Sequence, residues 1–466
     1  MWPNFAHDDV IEIMISIALL LALPVFPAAS PLVLPQEPSL RWRLEEIRTH
    51  EGSLNDNALG FYVNNCGDLN GDGVGEYLIG SPGDAKEGKQ VGGVQVRSGK
   101  DGRLLFQLHG KHEASNFGRI ALGVGDVDGD GVDDFAVGAT RESTDVEECG
   151  SLRIYSGACG KVIHEWFGSE PFDKFGRSLT ILDDADKDGI SEILVGGYQP
   201  NGLHVKGRGY VRLYSGQCGR LLRTLRGLRP RDMFGVTMCG TGDLTGDDVR
   251  DFVVGSFYAR RMEPGRQPSQ GSVCAFDGRS GELIRRKFAD DFTFAENASN
   301  NPTFGRKVCC PGDLNDDGID DVLVAAPLWD ADGEEKNDNR GMVIAISGKD
   351  GALLPGSEMQ GVGRGSGLGH SLAPMGDVDG DGVGDFLVGA MAGGFVELRS
   401  GKDFSVLARV KGQSGKSMFG QSIRAAGDLD GDGRKEIIIG EPAARVGEFK
   451  KAGLVHIYRL VANSDM

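Results

Sequence analysis

The sequence predicts an all-β fold: a seven-bladed β-propeller of four-stranded antiparallel blades, closed by an N-terminal strand that completes the last blade. Three observations predict it. An acidic, glycine-punctuated phrase, clearest as "GDVDGDGVDDFAVGA" from Gly125 to Ala139, recurs seven times. Apolar and glycine residues stand at fixed distances around every copy. The last copy also runs out one strand early, while a spare strand-like segment precedes the first. Repetition of this kind decides the architecture before any single motif is weighed.

The first Asp of the phrase anchors each copy: Asp68, Asp126, Asp184, Asp243, Asp313, Asp377 and Asp428, separated by 58, 58, 59, 70, 64 and 51 residues. Nine residues before each anchor stands a large apolar residue (Leu59, Phe117, Phe175, Phe234, Phe304, Leu368, Phe419), and the next residue is always Gly. Twelve residues after the anchor comes Gly80, Gly138, Gly196, Gly255, Gly389 or Gly440, with Ala325 the one exception.

Each unit reads as four strands. The first is the Phe-Gly stretch, as in "FGRIALGVG". After the acidic loop comes a short Val/Ile/Phe-rich run ("FAVGA", "ILVGG", "FVVGS") bounded by Gly, the mark of a buried strand. The third alternates apolar and polar residues ("GSLRIYSG", "GYVRLYSG"), and a Gly-containing tight turn leads to a fourth such as "RLLFQLHG". No segment after Ser30 has sustained helical periodicity.

The seventh unit stops after its third strand, Gly453 to Leu460. The missing fourth is assigned to Leu40–Thr49, "LRWRLEEIRT". A ring closed by that loan leaves no open sheet edge, whereas a stacked solenoid has no use for it. The 466 residues then divide into a signal peptide or anchor (1–30), a linker (31–39), one propeller (40–461) and a tail (462–466). The 73 glycines suit a chain of many turns, and 39% hydrophobic content suffices to pack blade on blade.

The repeated phrase, from Phe-Gly through Gly-Asp-x-(Asp/Asn)-Gly-Asp-Gly to Gly-Ala-Pro, resembles the FG-GAP repeat of integrin α-subunit propellers and their bacterial relatives. The resemblance spans residues 59 to 460. Its departures are Leu59 and Leu368 for Phe and Ala325 for Gly, and the Gly-Ala-Pro end survives mainly as "GSP", "AAP" and "GEP". It implies seven blades about a central channel and calcium-binding β-hairpin loops.

The acidic loop carries the chemistry. Oxygen-bearing side chains fall at positions 1, 3, 5 and 9, with Gly usually at 6 and a backbone carbonyl at 7. Hard oxygens on alternate residues of a tight curl suit Ca²⁺; an EF-hand would need Glu at position 12, where the second copy has Val137. The candidate ligands are Asp126, Asp128, Asp130, Val132 and Asp134; Asp184, Asp186, Asp188, Ile190 and Glu192; Asp377, Asp379, Asp381, Val383 and Asp385; and Asp428, Asp430, Asp432, Arg434 and Glu436, the position-7 residues through their carbonyls. Two copies carry Asn at position 3: Asp68, Asn70, Asp72, Val74 and Glu76, and Asp313, Asn315, Asp317, Ile319 and Asp321. The fourth copy is degenerate and expected to bind weakly: Asp243, Thr245, Asp247 and Asp251, with Asp248 where the others have Gly and Arg250 placed to stand in for a cation. About six Ca²⁺ sites follow, seven with the weak one. Polar turns also favour Asp and Gly, but charge argues against turns alone. The seven nine-residue loops hold 29 acidic and four basic residues, a net of −25; the whole chain is −18, so the remainder is +7. Carboxylates gathered so closely require a cation.

Other motifs reduce to ordinary features. "GHSLA" at Gly369 aligns with "GRSLT" and "GQSIR" in sister copies, so its serine belongs to a first strand rather than to a nucleophile elbow. "GQSGKS" at Gly412 fails the P-loop spacing because Val410 holds the first Gly position. His109 and His112 form no recognised metal motif. Cys159 and Cys218 occupy matching turns of adjacent blades and either pair or lie side by side; Cys66, Cys239, Cys309 and Cys310 read as buried first-strand residues.

Ile13–Phe26 is an apolar run of signal-peptide length, although the residues before it are acidic; a start at Met14 would repair part of that. Pro31 leaves an uncleaved anchor as the alternative, and no other segment could span a membrane. Asn297-Ala298-Ser299 is a glycosylation sequon. The expected protein is a secreted, periplasmic or cell-surface monomer, a non-catalytic binding or adhesion module for an extracellular protein or glycan, with no nucleic-acid partner. The alternative is a polysaccharide lyase or hydrolase acting on the loop face or in the channel. The longest loops lie opposite the acidic hairpins: Ser256–Gln270 with Arg260, Arg261 and Arg266, the acidic Pro327–Arg340, and Ala289–Thr303 with Phe292 and Phe294 as either binding anchors or loop ornament.

Overall fold

Each repeat folds into one antiparallel sheet whose strands follow chain order. In blade two these are Phe117–Gly125, Asp134–Ala139, Ser151–Tyr155 and Val162–Phe167. The computed structural model describes residues 40–185, 187–199, 207–261, 270–292, 303–330 and 338–463. The signal or anchor segment, the linker, Asp186, Arg266, Phe294 and the Asn297 sequon lie outside the described residues.

Seven four-stranded blades result, and the last is composite. Its strands are Ser422–Gly427, Glu436–Glu441, Leu454–Ala462 and, from the other end of the chain, Trp42–Glu51. The N-terminal strand pairs antiparallel with the C-terminal one from Trp42↔Ala462 to Glu51↔Leu454, with a register shift between Glu46 and Arg48. It starts and ends two residues later than the sequence pattern suggests. The first strand of each blade touches the first strand of the next around the whole ring, so these strands line the central channel. Blade five is the slightest, its fourth strand reduced to Met359–Gln360.

The middle residues of the second strands are apolar because both faces of these strands meet another blade. In blade two, Phe135 and Val137 pack with Leu78, Val94 and Val96 of blade one, while Ala136 packs with Phe175 and Val195 of blade three. Burying each large side chain in such a cluster contributes roughly 1.5–3 kcal/mol. The apolar content thus sits in slabs between blades rather than in one central core.

The two repeated glycines turn out to be one contact seen from two blades. A Cβ on Gly138 would lie 2.5 Å from the carbonyl oxygen of Gly176 in blade three, and one on Gly196 would lie 2.2 Å from that of Gly235 in blade four. At the exception, the Ala325 methyl fits because it lies over Gly369 of blade six. At the other six boundaries both partners are glycine, and a Cβ on the second-strand glycine would lie 1.9–2.8 Å from the facing glycine carbonyl oxygen.

One alternative left open is decided and one expectation is corrected. Cys159 and Cys218 form no disulfide; all eight cysteines are free, and these two are exposed on separate turns. Phe292 is not an exposed anchor: it is 6% exposed and packs at 5.6 Å on Phe304, because a short 3-10 turn, Ala289–Asp291, folds it into the slab between blades four and five. No helix among the described residues is long and apolar enough to cross a membrane.

Candidate metal centres

The acidic loop is curled by its own first carboxylate. Asp126 Oδ1 accepts the backbone N–H groups of Gly129 and Asp130 at 2.7 and 3.2 Å, and Oδ2 accepts that of Gly131 at 2.8 Å. The bond from position 6 to position 1 recurs in every copy: at Asp68, Asp184, Asp243, Asp313, Asp377 and Asp428 it measures 2.7–2.9 Å. Position 6 has positive φ throughout, and Asp248, at +65°, is the one residue there that is not Gly.

The last candidate ligand of each loop is anchored differently. Glu76, Asp134, Glu192, Asp251, Asp321, Asp385 and Glu436 stand at the first residue of the second strands or just before it, and are fully buried. One oxygen of each accepts the backbone N–H of position 2, as Asp134 does from Val127 at 2.7 Å and Asp385 from Val378 at 2.8 Å. Where this residue is Asp, its other oxygen is taken by a glycine N–H after strand three: Gly157 on Asp134 at 2.9 Å, Gly278 on Asp251 at 2.8 Å, Gly348 on Asp321 at 3.1 Å and Gly401 on Asp385 at 3.0 Å. The longer Glu reaches into the loop instead. Glu76 Oε1 accepts the Asn70 amide at 2.5 Å, while Glu436 Oε1 has no hydrogen-bond partner.

Four loops bring three carboxylates together with ligand oxygens within 4.8 Å of one another: Asp68/Asp72/Glu76, Asp126/Asp128/Asp134, Asp377/Asp379/Asp385 and Asp428/Asp430/Glu436. Asp130, Asp381 and Asp432 stand outside the trios of their loops and hold the position-7 N–H groups of Val132, Val383 and Arg434 at 2.8–2.9 Å. The candidate ligands of blades four and five form no such trio among the described residues, and Asp186 of blade three lies outside them. In blade four Thr245 Oγ1 donates to Asp243 at 3.2 Å. Arg250 does not stand in for a cation beside Asp251. Its guanidinium reaches across the blade boundary to Asp183, at 3.4 Å.

The electrostatics of these loops favour a cation. Burial, helped by neighbouring carboxylates, pushes Glu436 up to about 7 and Asp251, Asp321 and Asp385 up to about 6. Burial raises Glu76 and Asp134 in the same direction. Two oxygens aimed into these clusters are orphaned: Glu436 Oε1, and Asp379 Oδ1 on a side chain only 6% exposed. A buried acceptor without a donor costs about 1–3 kcal/mol, and a hard cation satisfies it. The donor set, all carboxylate and carbonyl oxygen, fits Ca²⁺.

Two contributors were not foreseen. Position 8 reaches the neighbouring loop: Asp320 Oδ2 accepts the Gly242 N–H of blade four at 2.9 Å, and Asp133 lies against Gly67 of blade one. Carboxylates at position 8 in copies two and five were the available signal. Arg41, just ahead of the closing strand, donates to Asp379 Oδ2 at 2.9 Å and to its carbonyl at 3.0 Å. Nothing local in the sequence ties residue 41 to residue 379.

The repeat has relatives among known proteins. The FG-GAP repeat model matches residues 119–150 and 419–458. The chain is similar to integrin alpha-V of Gallus gallus (29% identity over 225 residues, 45% of this chain and 21% of that one) and to integrin alpha-8 of Gallus gallus (30% over 223 residues, 44% and 21%). Integrin alpha-5 of Xenopus laevis is 31% identical over 215 residues, 43% of this chain and 19% of its own. The matched part is thus about a fifth of each relative's length. Among solved structures, one titled "Crystal structure of BBS1N in complex with ARL6DN, soaked with mercury" aligns with a TM-score of 0.50 and 11% identity over 91% of this chain and 97% of that chain, a likeness of fold.

Proposed function

We propose, on the premise that this chain is an FG-GAP propeller with integrin α-subunit homologues, that it is an exported, calcium-binding, non-catalytic module that binds an extracellular protein or glycan in adhesion. The observation that carries the calcium reading is the pair of orphaned oxygens, Glu436 Oε1 and Asp379 Oδ1, each inside a converged carboxylate trio. Ca²⁺ supplies the positive charge these loops lack. The chain's own residues do the rest: position 1 curls the loop, and position 9 ties it to the second strand. About six ions are expected, in every blade but the fourth, where Thr245 and Asp248 weaken the loop. Export to a secreted, periplasmic or cell-surface location accords with this, since calcium is plentiful there. The module is taken to be a monomer, residues 40–461 forming the propeller behind a signal or anchor.

A cation that binds only the folded form stabilises it by mass action. Metal counting on the folded protein at moderate free Ca²⁺ should give about six ions per chain. Chelation should lower the melting temperature and Ca²⁺ restore it, with Mg²⁺ a poor substitute because it demands tight octahedral geometry and keeps its waters. No bound ion, with melting indifferent to chelator, overturns the calcium reading.

A further inference from the structure

The residue after each Phe-Gly pair opens a channel-lining strand at the face opposite the acidic loops. These seven are Phe61, Arg119, Arg177, Val236, Arg306, His370 and Gln421, in the same register in every blade. At two blade boundaries their side chains meet. The Arg119 guanidinium lies 5.0 Å from the Phe61 ring centroid, and His370 Nε2 lies 3.2 Å from Gln421 Oε1.

Between blades three and four this register is apolar: Val236 is buried with Tyr198 and Phe257 in a single cluster. Two guanidiniums flank that cluster, Arg177 at 5.9 Å over Tyr198 and Arg306 at 5.3 Å over Phe257. Neither makes an ion pair with a described residue, and Arg177 Nε is buried without a hydrogen-bond partner. Contact with ring faces holds each guanidinium plane in place. The two Nη groups at the tip of a guanidinium form an edge that a carboxylate engages through two parallel bonds.

We propose that this pair of guanidiniums is a carboxylate-binding site for an acidic segment of a partner protein, with Arg177 and Arg306 each taking one Asp or Glu side chain. The proposal rests on the reading of the chain as a binding module and narrows its ligand. Protein is favoured over acidic glycan by the aromatic residues: Tyr198 and Phe257 are 4% and 2% exposed and lie under the guanidiniums, so neither offers a free ring face to a sugar. An Asp or Glu side chain needs only the guanidinium edges.

The test uses the full chain, Ca²⁺-loaded, with a labelled peptide of alternating Asp and Gly, an oligogalacturonate of matched charge, and sulfate. The peptide should bind, with affinity falling as salt rises. Arg177→Ala/Arg306→Ala should weaken binding at least tenfold without changing metal content or melting temperature. Arg177→Lys/Arg306→Lys, which keeps the charge and guards against misfolding, should still weaken it severalfold because the two-pronged edge is lost. No peptide binding, equal binding by both double variants and the parent, or an equal Arg-dependent affinity for oligogalacturonate or sulfate overturns the proposal. Failure of the calcium reading would show separately, as melting indifferent to chelator.

Discussion

Gly440 of the last blade and Gly60 of the first meet backbone to backbone: a Cβ on Gly440 would lie 1.9 Å from the Gly60 carbonyl oxygen. This is the same contact that joins Gly138 to Gly176 and Gly196 to Gly235, here made between opposite ends of the chain. Closing the ring therefore uses an ordinary blade boundary and no special device. Gly440→Ala must push blade one away from blade seven. It should destabilise the protein by about 1–3 kcal/mol, as overpacking does, read as a lowered denaturant midpoint. An unchanged midpoint would mean that the boundary yields freely.

The loaned strand makes a second prediction. Trp42 and Leu44 pack in the slab between blades six and seven, and the strand covers the edge of Leu454–Ala462. A chain beginning at Gly52 should expose that edge, melt lower and self-associate. Sedimentation and thermal melting of the truncated protein check this; a monomer with unchanged melting would refute closure by the N-terminal strand.

His456 adds a pH dependence to the same seam. Its Nδ1 lies 2.6 Å from Glu46 Oε1 on the loaned strand, and its Nε2 lies 2.9 Å from Glu441 Oε2. Burial opposes the charged imidazolium, but the two carboxylates outweigh burial and raise its pKa above the usual histidine value. A raised histidine contributes stability that is complete below its unfolded value, about 6.5, and is lost as pH climbs through the folded value. The melting temperature should therefore fall on the alkaline side of 6.5. The gap between parent and His456→Gln should be wide at pH 6 and narrow at pH 9.

Glu436 permits a test at a single loop. Its carboxyl, raised to about 7, contributes stability that is present below the unfolded value of about 4.5 and lost as pH rises through 7. At pH 8 without metal it is a buried charge at a cost. Glu436→Gln should remove about one ion from the Ca²⁺ count, yet melt higher than the parent when both are chelated. A variant that keeps the full ion count would show that blade seven binds no metal through Glu436.

Blade four gives the opposite manipulation. Asp248 holds φ of +65° at the position where all other copies use Gly. Asp248→Gly should relieve that strain and stabilise the chelated protein by roughly 0.5–1 kcal/mol, measurable by denaturant titration. Little or no gain would show that Asp tolerates the turn at no cost.

Sequence alone determined the repeat unit, its strand order, the curl of each acidic loop and the closing strand. All of these depend on residues a few positions apart, or on a count of strands: an Asp bonding N–H groups three to five residues on, a Gly at a positive φ, an alternation along a strand. Tertiary structure decided what lies between repeats. It made the two signature glycines a single contact, sent Phe292 inward, led Arg41 to Asp379 and Arg250 to Asp183, and set Arg177 and Arg306 on either side of one apolar cluster. It also distinguished loops that look alike in sequence: Glu436 is left with a bare oxygen where the shorter Asp385 finds a glycine N–H. The physical reason is common to all of these. Hydrogen bonds within a hairpin are fixed by spacing along the chain, whereas neighbours across a blade boundary are fixed by how the slabs pack, and the composition of one repeat does not record which side chains of the next will face it.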